Sequence, residues 1–539
     1  MIANRLVPFL EARQFFSHFQ AGFRAGHSTT DQLFRLFSRI KSTLSSHSAT
    51  AIAFLDIVAA FDKVWHGGLL VKLFRAGVQG RMWRWIKAFL SDRSIRVSSS
   101  NCFSSWFTIG AGVPQGSVLG PLLFLVYLND LPVVGSISVA LFADDIAIWS
   151  TANRRRGVVA LNAALHKIYD WSLAWHVSFS ISKSVYLVFS RRRAPSLPPV
   201  LLGPDPLPLS TSFPYLGVTL QPQYKWHSHS NRVISSAFRA AYSVSRIITP
   251  RGPSPRVIRQ LVIALVLPII TYGWPHWSPP TARHWAKLEY AVCLPLRCCL
   301  GLPSNVHRLA VFVEFGLPSL RLLHEELCLS AAHRFEALPR SHLSRSLFYD
   351  QYNSPPPSVS TSPSLYSFGH IVKKLESTWS IDHSSWADGF SASLRHRSLS
   401  RQLSLLHESV FSRVLRQLEP KPAPTSYIMH EPRIIAILRA RLRLNRNKLN
   451  HSLFRRNIVP SSDCPVCPGV PETASHVLFD CPAFDASRHL CFNTLQGYSC
   501  PVTFAVLSGD VSSVLASDRS LALAASASFL TAINRLRPI

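Results

Sequence analysis

Up to about residue 190 the chain alternates short apolar runs with helically spaced apolar positions. Residues 51–55 (AIAFL) form an apolar run that ends on Asp56, the pattern of a buried strand. Residues 68–76 and 81–90 follow helical spacing, and 95–99 and 106–109 read as the arms of a hairpin around SSNCFSS. Residues 117–128 make a largely apolar helix. Residues 138–142 and 146–149 read as strands flanking a tight Ala143-Asp144-Asp145 turn. Short strands mixed with helices in this way predict an α+β region.

Beyond about residue 220 the spacing turns helical, with packed helices predicted over 230–247, 255–270 and 281–300. Pro255 suits a first helical turn, whereas Pro268 predicts that its helix kinks or stops early. Three Pro-rich stretches, 191–212, 351–364 and 419–426, read as loops or linkers, and the second is the best candidate for a domain boundary. The remaining C-terminal third reads as helical and basic. No internal repeat of fixed period is visible.

Composition narrows the class. The chain has 539 residues, 47% apolar and 16% charged, enough to build two to four cored domains and too apolar for general disorder. Lys and Arg number 57 against 28 Asp and Glu, a net charge of +29 that predicts a polyanionic partner, nucleic acid before an anionic membrane. The basic residues are mostly Arg and scattered, unlike a membrane-surface helix. The apolar runs at 113–131 and 262–270 are broken by Gly116, Gly120 and Pro121, and by Pro268, so no membrane span is expected. The first twenty residues lack the pattern of a secretory signal. With only ten cysteines, three of them close together near the C-terminus, the chain reads as a soluble intracellular protein that uses thiols for metal.

With acids this scarce, their positions matter. Asp56 ends one apolar strand and Asp144-Asp145 fill the turn between two others. Bringing the strand ends together would set carboxylates side by side, able to clamp two hard divalent cations about 3.5–4 Å apart for in-line phosphoryl transfer. From spacing alone the same residues read more readily as turn and capping acids, a role Asp favours anyway.

The segments FLDIVAAFDKVWH (54–66), GVPQGSVLGPLLFLVYLNDL (112–131), LFADDIAIWS (141–150) and FPYLGVTL (213–220) follow one another in that order, preceded by QAGFRAGHSTTDQL (20–33). Together they resemble the palm motifs of reverse transcriptases from non-LTR (LINE-type) retrotransposons, over roughly the first 300 residues. The resemblance implies a right-hand polymerase: partial fingers and a ferredoxin-like palm (1–225), then a helical thumb or connection (226–350). A Pro/Ser-rich linker and helical region (351–436), a basic helix with a zinc knuckle (437–500) and a tail (501–539) would follow. It implies an RNA-directed DNA polymerase that extends a DNA primer, or a nick in target DNA, on an RNA template with dNTPs. Two catalytic Mg²⁺ ions would be held by Asp56 and Asp144, with Asp145 as the third carboxylate. Phe61 would be the aromatic gate against a 2′-hydroxyl, and Gln115 and Gly116 would contact the nascent pair. Tyr215-Leu216-Gly217 would grip the primer. Lys183 would protonate the leaving pyrophosphate or contact phosphate. Asp62, without a catalytic counterpart, is taken as structural.

The chain departs from the family in places. It begins at MIANRLVPFLE, past the start of the family's fingers; Val58 and Ala59 stand where Glu and Lys are common, and Ser180 stands where Asn is usual. A second function therefore stays open: a non-catalytic nucleic-acid-binding relic of a retroelement. The family also implies a ribonucleoprotein in nucleus and cytoplasm.

Near the C-terminus, Cys464-x2-Cys467-x8-His476-x4-Cys481 offers three thiolates and one imidazole at loop spacing, the donor set of a closed structural Zn²⁺ site. It also resembles the family's C-terminal zinc knuckle. The preceding ILRARLRLNRNKLNHSLFRRN (437–457) spaces Arg and Lys as a phosphate-binding surface or a solvated basic helix face would. The other cysteines read as core or idle, and isolated histidines such as His227 and His229 as surface residues. No acidic set suggesting an RNase H domain appears between residues 301 and 436.

Overall fold

A computed structural model describes residues 1–99, 102–133, 135–191, 197–250, 252–355, 366–381, 390–408, 415, 418, 421–498 and 500–539. The tip of the 93–109 hairpin, and parts of the Pro-rich stretches at 191–212, 351–364 and 419–426, lie outside the described residues. The chain divides into two units, one of residues 1–229, 275–278 and 331–381, the other of 230–274, 279–330 and 382–539.

The first unit is built on a four-stranded antiparallel sheet: β1 (Ala49–Leu55), β6 (Ile137–Phe142), β7 (Asp145–Ser150) and β8 (Val185–Ser190), in the order β6-β7-β1-β8. Every residue of β1 is buried, which is why its sequence is a continuous apolar run rather than an alternation. Preceding β1 are the helices α1 (Ile2–Ala12) and α2 (Thr29–Ser45); α3 (His66–Arg75), α4 (Gly80–Leu90), α5 (Leu119–Leu128) and α6 (Arg154–Ala174) follow. In α5 every residue but Pro121 is buried, so this helix runs through the core rather than over it. Lys72 of α3 is sealed beneath it: its ammonium donates to the Tyr127 carbonyl at 2.6 Å and to Asp130 at 2.5 Å, and lies 3.8 Å from the Trp175 ring centre.

The predicted hairpin arms pair through β2 (Arg93–Ile95) with β5 (Phe107–Ile109) and β3 (Ser98–Ser99) with β4 (Cys102–Phe103). Two further hairpins follow β8: β9 (Leu201–Leu202) with β10 (Asp205–Pro206), and β11 (Phe213–Tyr215) with β12 (Val218–Leu220). Aromatic packing draws distant segments into the unit. Phe34 of α2 stacks on Phe335 at 4.7 Å and on His276 at 5.8 Å, and Phe37 meets Trp226 edge-on at 5.5 Å. His229 belongs to this cluster. It is buried, accepts from the Thr219 N–H at 3.2 Å and packs on Trp277, so the expectation of a surface histidine is corrected; His227 is exposed.

The second unit is helical in its described residues. Pro268 does not stop its helix: the run 255–271 continues through a wide π-type turn at Val262–Val266 into Leu267–Thr271. The wide turn absorbs the hydrogen bond that proline cannot donate. The core is crossed by buried ion pairs. Arg443 donates to Glu314 at 2.8 Å, both fully buried, and the Tyr427 hydroxyl donates to the other Glu314 oxygen at 3.0 Å. Arg439 pairs with Glu431 and donates to the Leu507 and Leu523 carbonyls at 2.9 and 3.0 Å. The expectation of a phosphate-binding or solvated face over 437–457 therefore fails for Arg439 and Arg443. Among its basic residues Arg439 and Arg443 are wholly buried, and only Lys448 and Arg455 are exposed. Their charge is spent inside the unit on carboxylates of the same unit. Among the described residues no helix is long and apolar enough to cross a membrane.

Candidate functional site

Strand register brings the three sheet aspartates together. β1 and β7 pair antiparallel with Leu55 opposite Ile146, so Asp56, the next residue after β1, comes abreast of Asp145 at the start of β7. β6 and β7 close through a two-residue turn, Ala143-Asp144, with Phe142 opposite Asp145; Ala143 takes a left-handed φ of 56°. The carboxylates feel one another. Asp145 is open to solvent at its surface, yet desolvation by its surroundings, then Asp144 and Asp56, raise its carboxyl to about 6. Carboxylates crowded at the end of a sheet are the donor chemistry that hard divalent cations relieve, so the residues present fit such ions.

The loop between α6 and β8 fixes Asp56 from behind. Its N–H donates to the Ser184 hydroxyl at 3.0 Å and its carbonyl accepts from the Ser180 N–H at 2.9 Å. Lys183 lies exposed on this same loop. Beyond Asp56, Phe61 stacks on Phe124 of α5 at 4.5 Å and meets Phe23 edge-on at 6.2 Å, leaving it half-buried. The Val113 N–H donates to the Phe61 carbonyl at 2.8 Å and ties the 112–116 loop to this turn. Gly112 touches the Asp62 backbone so closely that a Cβ would lie 2.7 Å from its carbonyl oxygen. Gln115 donates to the Asp62 carboxylate at 3.0 Å; Gln115 and Gly116 are exposed, Gly116 with a φ of 80°. Asp62, taken as structural, thus anchors the Gln115 amide, and no spacing in the sequence signals that pairing.

Tyr215 pairs with Val218 across a turn made by Leu216 (φ 42°) and Gly217 (φ 77°). Its buried ring packs 5.3 Å from Phe54 of β1, and its hydroxyl donates to the Ala140 carbonyl of β6 at 3.4 Å. Burial, and then the Asp145 charge, push its phenol far up. The hairpin therefore sits against the same strands that carry the aspartates.

In the second unit the sulfurs of Cys464, Cys467 and Cys481 and a ring nitrogen of His476 all lie within 4.8 Å of one another. The Cys464 N–H donates to the Val470 carbonyl at 2.8 Å and the Val470 N–H to Cys467 at 3.1 Å, folding the first two ligands into a tight loop. His476 Nε2 is buried without a hydrogen-bond partner. Burial, with the Cys464 and Cys467 sulfurs adding, pushes the Cys481 thiol up to about 11. An orphaned imidazole nitrogen among three crowded sulfurs fits a tetrahedral Zn²⁺. Arg537 clamps the loop through Glu472 at 2.9 Å.

Comparison with known proteins follows the same division. Residues 1–220 match the family described as reverse transcriptase (RNA-dependent DNA polymerase). The chain is 29% identical over 361 residues to the RNA-directed DNA polymerase from mobile element jockey of Drosophila melanogaster, covering 64% of this chain and 39% of that protein. It is 34% identical over 236 residues to the probable RNA-directed DNA polymerase from transposon X-element of the same fly, covering 42% of this chain and 26% of that protein. It is 23% identical over 391 residues to a Pol polyprotein from the type-1 retrotransposable element R1 2 of Nasonia vitripennis, covering 70% of this chain and 87% of that protein. The chain thus spans well under half the length of the two fly proteins. Residues 1–220 thus match the reverse transcriptase family, and the chain is similar to the RNA-directed DNA polymerases of non-LTR retrotransposons.

Proposed function

We propose that this chain is an RNA-directed DNA polymerase of a non-LTR retrotransposon, adding deoxynucleotides to a primer 3′-hydroxyl on an RNA template. The observation that carries the reading is the convergence of Asp56, Asp144 and Asp145 at the shared ends of β1, β6 and β7. Asp56 and Asp144 would hold two Mg²⁺ ions, with Asp145 beside them. When bound, these ions supply the charge that lowers the 3′-hydroxyl's proton affinity and neutralises the departing pyrophosphate.

The chain's own residues do the rest. The Ser180 and Ser184 contacts keep the Asp56 backbone in place before substrate arrives. Phe61, backed by Phe124, offers a rigid ring where a 2′-hydroxyl would collide. The Gln115 amide, held by Asp62, and Gly116, without a Cβ, would line the nascent base pair. The Tyr215-Leu216-Gly217 turn would seat the primer end, and Lys183 would contact phosphate or give up a proton to the leaving group. In this reading the first unit contains the palm with a partial fingers region, and the helices of residues 226–350 act as thumb or connection. The Cys464, Cys467, His476 and Cys481 cluster would hold a structural Zn²⁺. Template RNA, a primer or nicked DNA and dNTPs are the partners, and the working form is a ribonucleoprotein of cytoplasm and nucleus.

The test is primer extension by the purified full chain on an RNA template with dNTPs and Mg²⁺. Incorporation is expected from the wild type, and its loss from Asp144→Asn with RNA binding unchanged. RNA binding without incorporation by the wild type would mark the chain as a binding relic. Equal extension by Asp144→Asn would remove that residue from the site.

A further inference from the structure

Apart from Phe23, the segment QAGFRAGHSTTDQL is left without a role by the polymerase reading, yet its side chains reach the carboxylate turn. β6 is an edge strand, and an edge exposes unpaired backbone groups. Here the edge is sealed from outside. Gln20 bridges Leu141 in parallel, with the Leu141 N–H donating to the Phe19 carbonyl at 3.1 Å and the Ala21 N–H to the Leu141 carbonyl at 2.9 Å. From α2, Gln32 donates to the Phe19 and Leu141 carbonyls at 2.8 and 3.0 Å, and Arg35 to the Val139 carbonyl at 2.7 Å. Arg24 staples the loop from below, donating to the Ser17 and Gln20 carbonyls at 3.0 and 3.2 Å while paired with Glu11 at 2.8 Å.

Where β6 ends, the chain turns through Ala143. A left-handed conformation costs an L-residue with a Cβ about 1 kcal/mol or more, so something must hold it. The Gln20 side chain does so from both ends of that residue. Its Oε1 accepts from the Ala143 N–H at 3.1 Å and from the Gly22 N–H at 2.8 Å, and its Nε2 makes a longer contact of 3.5 Å with the Ala143 carbonyl. Gln20 is 4% exposed, so water does not compete for these bonds. Gly22 allows the approach: a Cβ there would lie 2.3 Å from the Ala143 nitrogen. The next residue is Asp144.

We propose that Gln20 is a positioning residue for the carboxylate turn: its buried amide, admitted by Gly22, holds Ala143 left-handed and so fixes where Asp144 stands relative to Asp56 and Asp145. The inference rests on the polymerase reading of that site and extends it to a residue more than a hundred positions away in the chain. A carboxylate swung out of place by even 1 Å still reaches a cation but binds it less tightly and aligns it poorly.

The experiment compares the full-length wild type with Gln20→Ala, Gln20→Glu and Gln32→Ala. Gln20→Ala is expected to lower kcat about tenfold or more and to raise the Mg²⁺ concentration for half-maximal rate about threefold or more, with RNA affinity and dNTP KM within about twofold. Gln20→Glu keeps the acceptor for two N–H groups but sets an oxygen against the Ala143 carbonyl and buries a negative charge beside the aspartates, so its effect is expected to be no smaller. Gln32→Ala unseals the same edge without touching Ala143; it should lower Tm while the Mg²⁺ requirement stays put. Mn²⁺ binding, followed by electron paramagnetic resonance, reads the site without turnover. Gln20→Ala should weaken the Mn²⁺ that Asp144→Asn also loses. A folded Gln20→Ala with wild-type Mg²⁺ and Mn²⁺ behaviour, or an equal Mg²⁺ shift in Gln32→Ala, would overturn the inference. A wild type that binds Mn²⁺ but never extends a primer would instead sink the polymerase reading, with the Gln20 effect still measured by Mn²⁺.

Discussion

Phe61 shows what a single residue gains from its neighbours. Alone, a half-buried phenylalanine is ordinary core material; stacked on Phe124 at 4.5 Å and edged by Phe23, it becomes a ring that has nowhere to retreat. A gate against ribonucleotides needs that rigidity, because a ring free to rotate would admit the extra hydroxyl. In Phe61→Ala the preference for dNTP over rNTP in kcat/KM is expected to fall about tenfold or more, measured by extension with dGTP and rGTP on the same RNA template. An unchanged preference would leave Phe61 as a packing residue. His229 is the counterexample at this scale. Its sequence neighbourhood is largely polar, and Trp277, together with Trp226 and the Thr219 N–H, encloses it.

Among the elements, the loop bearing Cys464, Cys467, His476 and Cys481 was the most legible, because its ligands are close in sequence and their spacing is itself the geometry. What spacing could not show is its attachment. Glu472, buried between the second and third ligands, pairs with Arg537 at the far end of the chain, and the Asn450 N–H donates to the same carboxylate at 2.5 Å. The purified chain is expected to carry about one zinc, counted by mass spectrometry. Cys467→Ser, or a strong chelator, should release it and open residues 461–484 to proteolysis. Metal-free protein with unchanged protection there would show that the sulfurs stabilise the loop as ordinary core. The helix at 255–271 teaches a related lesson: a proline inside a helical pattern marks a disturbed turn, and whether the helix ends there depends on what the neighbouring turn can absorb.

For the molecule as a whole, the net charge of +29 does not say which cations face solvent. In the second unit, Arg439 and Arg443 lie in its interior, with Glu431 and Glu314 as partners. A buried pair is costly to break, since the remaining charge is stranded. Arg443→Met is therefore expected to destabilise this unit by about 3–5 kcal/mol. Hydrogen exchange should show the loss in peptides covering 308–314 and 425–443, with the β1–β7 peptides of the first unit unaffected. The double variant Arg443→Met with Glu314→Gln should recover part of that loss. A single variant as stable as the wild type would show that the pair adds nothing to folding.

The sequence by itself marked the candidate site residues: the three aspartates, the Pro114-Gln115-Gly116 turn, the Tyr215-Leu216-Gly217 hairpin and the set Cys464, Cys467, His476 and Cys481. Each lies in a short segment whose apolar spacing, turn residues or ligand spacing are local properties. It also marked the elements from β1 to β7, because buried strands and core helices write their burial into consecutive positions, but not α1, α2, α6 or β8. Tertiary structure alone decided the rest. Asp56 meets Asp145 through the register of β1 against β7, Gln20 reaches Ala143 across the sheet edge, and Arg443 finds Glu314 in a core that no linear pattern announces. The reason is common to all three: a polar side chain's partner is fixed by how distant segments pack, and a charge or amide in sequence looks the same whether it will face water or another residue.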